Sequence, residues 1–111
     1  MAMGLTTSLW VMAQVRLCDL AFIPATVVRR GDPDVGAVLV KVNRFDAGVT
    51  VFAQASSFDE KPAWSRGSGE NPVNEAEADA YIARQVARDP DLWVIEIEDR
   101  RGNYELEGRV V

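Results

Sequence analysis

Ala37-Val38-Leu39-Val40-Lys41-Val42-Asn43 is the stretch on which the fold turns. Side chains alternate across a strand, so Val38, Val40 and Val42 share one face while Ala37, Leu39, Lys41 and Asn43 share the other. Valine and leucine at that density favour a pleated, packed surface. The period of two continues outward on both sides, since Ala25–Arg30 and Val49–Ala55 are rich in valine and threonine and read as flanking strands. The first connection, Gly31-Asp32-Pro33-Asp34-Val35-Gly36, suits a six-residue hairpin loop. In the second, Asp46-Ala47-Gly48, the glycine can supply a positive φ. Short loops imply antiparallel neighbours, and the spacing predicts a three-stranded meander.

Two helices bracket this meander. Thr7 and Ser8 are capping residues ahead of Leu9–Leu20, in which Leu9, Met12, Ala13, Leu17 and Leu20 recur at helical spacing. Trp10, Val11, Val15 and Cys18 make other sides apolar too, so this helix is expected to be buried on more than one face, against a sheet or another subunit. It must end before Pro24. Asn74 caps the second helix with Glu77 three residues on, Val73 can staple against Ala78, and Pro90 ends it. Its inward stripe is Ala78, Tyr81, Ile82, Gln85 and Val86. Leu92–Glu98 alternates, with Trp93, Ile95 and Ile97 inward and Glu96 and Glu98 toward water. After a turn at Asp99–Asn103, Tyr104–Glu107 resumes the alternation, which predicts a second hairpin. Residues 56–73 form a long loop carrying Phe58 and Trp64, part of which should fold back onto the sheet. The reading is one α+β domain over residues 1–111, a mainly antiparallel sheet with two helices packed on it, in the order α-β-β-β-α-β-β.

Composition narrows the chemistry. At 111 residues, with 48% hydrophobic and 26% charged, the chain resembles ordinary globular domains. A chain of this size buries about two-thirds of its unfolded surface, enough for a core without staples. It contains no histidine, which excludes an imidazole base, a zinc–histidine site and a haem–histidine ligand. A single cysteine excludes an internal disulfide and a CxxC pair. A net charge of −5 and a pI near 4.6 argue against nucleic acid as a partner. Gln14, Arg16 and Asp19 interrupt the only apolar run that resembles a targeting signal or a membrane span, so a cytoplasmic location and no membrane partner are expected.

Four stretches carry a family resemblance: the Leu9-Trp10 helix with Arg16; Val27-Val28-Arg29-Arg30-Gly31-Asp32 followed by Gly36 to Lys41; Glu75-Ala76-Glu77-Ala78-Asp79-Ala80-Tyr81-Ile82; and Asp89-Pro90-Asp91-Leu92-Trp93 continuing to Asp99. Together they resemble the small alphaproteobacterial proteins of domain-of-unknown-function family 1491. The first stretch departs from the family, which is usually more basic around this helix, whereas here Leu17 and Cys18 follow Arg16. The resemblance implies a bacterial cytoplasmic setting and no activity, substrate, cofactor or catalytic residue.

The charges are unevenly spread: residues 1–58 carry +1 and residues 59–111 carry −6. If Arg16, Arg30 and Lys41 reach one face, with Arg29 beside them, they make a cationic site for a phosphate, a nucleotide or a carboxylate, to which the amides of the Gly31–Gly36 loop could add donors. The same residues serve equally as solvated strand positions or as ion-pair partners. Asp32 and Asp34 lack the further ligands of a calcium loop and read as turn residues, so no metal is expected. Gly67-Ser68-Gly69 lacks the phosphate-loop pattern. Cys18, without a histidine to activate it, reads as a small core hydrophobe. Trp10 and Trp64, with Arg66, are candidates for a partner surface because tryptophan and arginine dominate interface energetics. The leading expectation is therefore a non-catalytic interaction module, without cofactor, that binds an unidentified protein or itself. An anion- or nucleotide-binding domain using Arg16, Arg30 and Lys41 is the alternative. A carboxylate-dependent hydrolase using Glu70, Glu96, Glu98 and Asp99 comes third.

Overall fold

The structure, a computed structural model, describes residues 6–55 and 62–111. Helix α1 (Thr7–Leu20) leads into strands β1 (Ala25–Arg29), β2 (Val38–Asn43), β3 (Val49–Gln54) and β4 (Ala63–Arg66). Helix α2 (Glu75–Arg88), β5 (Trp93–Glu98) and a short β6 (Arg109–Val110) follow. The strands form one sheet in the order β1-β5-β2-β3-β4-β6. The alternation of β2 divides the core as its sequence predicts. Val38, Val40 and Val42 join Trp93, Ile95 and Ile97 under α1, while Leu39 joins Val51, Leu92 and Val94 under α2. One helix thus covers each face.

The sheet is mixed, not mainly antiparallel. Pairs β1/β5, β2/β3 and β3/β4 are antiparallel, whereas β2/β5 and β4/β6 are parallel. The expected hairpin between β1 and β2 does not exist, because β5 lies between them. Leu92 and Val94 are buried on one side as Trp93 and Ile95 are on the other, so the start of β5 is covered on both faces, as suits a strand in the middle of the sheet. The loop over Gly31–Gly36 arches across the start of β5 instead of turning back. Asp32 N donates to Asp91 O (3.0 Å), and Trp93 Nε1 donates to Asp32 O (2.7 Å). A Cβ on Gly31 or on Gly36 would collide with Asp91 O, which is why both positions are glycine.

The second hairpin is also replaced. The buried Asp99 carboxylate accepts the amides of Asn103 (2.8 Å) and Tyr104 (3.2 Å) and turns the chain away from β5. Tyr104 and Leu106 then pack against the cluster under α1, and the chain ends as β6 beside β4. The long connection folds back as expected through β4, while Phe58 lies outside the described residues. Asn74 caps α2, its Oδ1 accepting from Glu77 N at 2.8 Å. Thr6, one residue ahead of the expected cap, accepts from Leu9 N at 3.3 Å and caps α1.

The inner face of α1 is Thr7, Trp10, Val11, Gln14 and Cys18. The evenly spaced set Leu9, Met12, Leu17 and Leu20 points outward, each 56–65% exposed. The tryptophan decides this orientation. Trp10 packs against Trp64 in a tilted arrangement, 5.4 Å between ring centroids, and its Nε1 donates to Glu107 Oε1 at 3.0 Å. Val11 and Cys18 are buried on the same face and Gln14 Nε2 donates to the same carboxylate oxygen at 2.8 Å, so this face buries its ring while its polar atoms stay satisfied.

Candidate binding groove

Helix α1 runs into β1 through a turn closed by paired backbone bonds, Phe22 N to Asp19 O (3.1 Å) and Ile23 N to Cys18 O (2.9 Å). This is a Schellman closure, whose left-handed position usually holds glycine. Here Phe22 occupies it, at φ 60° and 94% exposed. The turn brings α1 back along β1 but leaves a groove of about 560 Å³ between them. Val11, Met12 and Val15 of α1 and Ala25 and Val27 of β1 make it largely apolar, with Trp93 among its lining residues.

Two of the four expected cationic residues meet at this groove. Arg16 reaches it from the exposed side of α1 and Arg30 from the residue after β1. Arg30 lies over the Trp93 ring, 5.1 Å from its centroid, and Trp93 is in turn anchored to Asp32 O. Stacking holds the guanidinium plane while leaving its edge free to donate. Asp19, in the last turn of α1, places a negative charge on the same groove.

The other two basic residues are elsewhere. Arg29 does not line the groove: a bulge between Val27 and Arg29 breaks the strand alternation, and its Nη1 donates to Pro90 O (2.8 Å) and Leu92 O (2.9 Å). It clamps the α2–β5 connection. Lys41 is 4% exposed on the opposite face of the sheet, between Glu75 (2.8 Å), Asp79 (2.8 Å) and Glu96 (3.5 Å). Burial lowers its proton affinity, but the bonds to Asp79 and Glu75 and the charges of Glu96 and Asp79 outweigh this and raise its pKa above the ordinary lysine value. It is fully charged at neutral pH and bolts α2 to the sheet. The loop over Gly31–Gly36 adds few donors, since the amides of Asp32, Asp34, Val35 and Gly36 are bonded within the loop or to Asp91.

The expected partner surface around Trp10 and Trp64 is core. Trp64 is fully buried, and its Nε1 donates to Glu107 O at 2.8 Å. Only Arg66 of that set is exposed. Cys18 is buried, and burial with the nearby Asp99 charge raises its thiol pKa, which favours the neutral thiol over the thiolate. The carboxylates proposed for hydrolysis do separate work: Glu96 pairs with Lys41, Asp99 holds a turn and an ion pair with Arg44 (3.6 Å), and Glu70 and Glu98 are exposed. Among the described residues, no group of three or more histidine, cysteine or acidic side chains is placed to hold a metal. Among the same residues, no helix is long and apolar enough to cross a membrane.

A second concavity, of about 380 Å³, lies just past the C-terminal end of α1, between Phe22 and the turn bearing Arg100, Arg101 and Asn103. The paired arginines were visible in the sequence, but nothing local marks Phe22 as left-handed and exposed.

A mixed six-stranded sheet with one helix on each face and an arginine-rimmed groove beside its terminal strand defines the class, a layered α+β domain. Residues 5–107 match the family described as protein of unknown function (DUF1491), and the chain belongs to that family. A crystal structure of a DUF1491 family protein from Caulobacter crescentus CB15 is similar, with 39% identity over 98% of this chain and 99% of that one and a TM-score of 0.83. An NMR structure of a DUF1491 family protein from the same organism has 40% identity over 99% of each chain and a TM-score of 0.81. Protein Atu0922 from A. tumefaciens shares the fold, with 23% identity over 94% of this chain and 90% of that one and a TM-score of 0.72. No curated protein matches the chain.

Proposed function

We propose that this chain is a small non-catalytic binding module of the cytoplasm that docks other protein chains, a second copy included, on its α1–β1 side. The observation that carries the reading is the outer side of α1. Leu9, Met12, Leu17 and Leu20 remain more than half exposed, and Phe22 extends the patch at a backbone position that costs free energy to hold. Scattered exposed leucines are ordinary, but three leucines and a methionine on the exposed side of one helix, with an exposed phenylalanine just past its end, are a concentration of apolar surface. An apolar helix face of this kind can pack on the same face of a second copy about a two-fold axis. The buried, free Cys18 supports a reducing compartment. Sedimentation velocity between about 5 and 200 µM tests the self-association half. A dimer that grows with concentration and is lost in Leu17→Glu supports it, and a monomer throughout removes it.

The convergence of Arg16 and Arg30 on one groove favours a second reading, a small-anion site that no longer includes Lys41. Thermal-shift measurements with inorganic phosphate and nucleotides test it. Stabilisation that disappears in Arg16→Ala supports this reading, and no stabilisation at millimolar ligand ends it.

A further inference from the structure

We infer that the α1–β1 groove receives an extended, carboxylate-bearing segment of another protein, which adds to the sheet as a strand beside β1. The inference rests on the α1–β1 side being the binding face, and it names what that face takes. Three observations converge. First, β1 ends the sheet on its side, with β5 as its only strand partner among the described residues. Its outer backbone donors and acceptors offer a template for one more strand. At about 3.3 Å per residue the five residues of β1 span about 17 Å, room for a peptide of similar length. Second, the groove runs along this strand beside α1 and is lined by the apolar Val15 and Val27. A strand lying beside β1 would turn alternate side chains into the groove, which is how strand addition acquires side-chain preference. Third, the rim is charged unevenly. Arg30, braced on Trp93, and Arg16 across the groove supply two guanidinium groups, while Asp19 stands in the last turn of α1. Guanidinium forks prefer carboxylates, so an acidic side chain or a terminal carboxylate fits beside Arg30.

The edge is also guarded against promiscuous pairing. The register with β5 shifts by a bulge between Val27 and Arg29, and Pro24 precedes the strand. Bulges, prolines and charges at an edge discourage indiscriminate strand addition and leave a strand of matching charge as the favoured guest.

The test pans phage-displayed random octapeptides on the full chain, then synthesises the best peptide for amide-resolved NMR titration. The expected result is enrichment of peptides with alternating apolar residues and an aspartate or glutamate, with shifts concentrated in residues 11–19 and 25–30. Replacing the peptide's acid by its amide should weaken binding at least tenfold. Methylating the peptide nitrogens that face β1 should do the same. Arg16→Ala, an exposed site that leaves the core untouched, should shrink the acid-to-amide difference to under threefold, and Arg30→Ala should give the same result if it folds. No enrichment, enriched peptides without acids, shifts on another face, or an N-methylated peptide that binds as tightly overturns the inference. Self-association through the outer side of α1 is read by sedimentation, so the two failures are separable.

Discussion

Replacing Lys41 by methionine removes one charge from the centre of the α2 face and leaves most of its bulk. In the native arrangement the ammonium lies 2.8 Å from each of two carboxylates that are more than half exposed and 3.5 Å from a third that is about a quarter exposed. Exposed pairs contribute about 0.2–1 kcal/mol each, and removing one member of a buried pair costs about 3–5 kcal/mol. With the lysine buried and its partners partly solvated, the cost falls between these limits, about 2 kcal/mol, because Glu75, Asp79 and Glu96 then face one another without a cation. For a domain of this size that corresponds to a fall of about 8 °C in Tm. Lys41→Ala should lose a further ~1 kcal/mol through lost packing of the stem. Adding Asp79→Asn to Lys41→Met should recover part of the loss. Urea unfolding followed by tryptophan fluorescence measures each value, since Trp10, Trp64 and Trp93 are all buried. The pH dependence has a definite sign. The pKa of Lys41 is raised on folding, so its contribution is complete below the unfolded lysine value of about 10.4 and declines as pH rises beyond it. The wild-type advantage over Lys41→Met should therefore hold from pH 7 to about 10 and narrow above. A methionine variant as stable as the wild type at pH 7 would show that packing alone holds α2, and would refute the ion-pair account.

Other substitutions probe the remaining structure. Phe22→Gly should raise stability by about 0.5–1 kcal/mol, because a left-handed phenylalanine is replaced by the residue that adopts this conformation freely and almost no buried area is lost; thermal denaturation reads it. Trp10→Ala should cost about 3–5 kcal/mol, whereas Leu20→Ala on the outer side of the same helix should change stability by less than about 0.5 kcal/mol, as chemical denaturation of both will show. Tyr104→Phe should be neutral or stabilising by up to about 1 kcal/mol, because the buried Tyr104 hydroxyl has no hydrogen-bond partner among the described residues. Burial, with Cys18, Glu107 and Asp99 nearby, also pushes its pKa upward on folding, so the native tyrosine destabilises the fold above pH 10 and the phenylalanine variant should lose less stability there.

The legible parts of the chain are those governed by neighbours in sequence. The alternation of Val38 to Asn43 placed each side chain on the correct face, and Asn74 with Glu77 marked the start of α2 to the residue. In α1 the periodicity revealed a helix but not its orientation: apolar residues all round predict burial on more than one face, while the structure buries Trp10, Val11 and Cys18 and leaves Leu9, Met12, Leu17 and Leu20 exposed. The candidate groove was half legible. Arg16 and Arg30 were recognisable as its charges, whereas Lys41 was grouped with them although strand parity alone places its side chain opposite Val40 and Val42. Phe22 carries no local signal at all, since nothing in its neighbours calls for a left-handed residue.

Residue identity by itself determined the helices, most strands, the absence of histidine chemistry and the family resemblance, because capping, alternation and composition act over a few residues. Tertiary structure decided the insertion of β5 between β1 and β2, the mixed sheet and the side of α1 left outward. These choices depend on contacts such as Trp10 with Trp64 and Asp32 with Asp91, whose partners lie more than fifty residues apart. Closing such long loops costs only slightly more than closing short ones, so burial of Leu92 to Ile95 on both sides of the sheet outweighs the local preference for a hairpin.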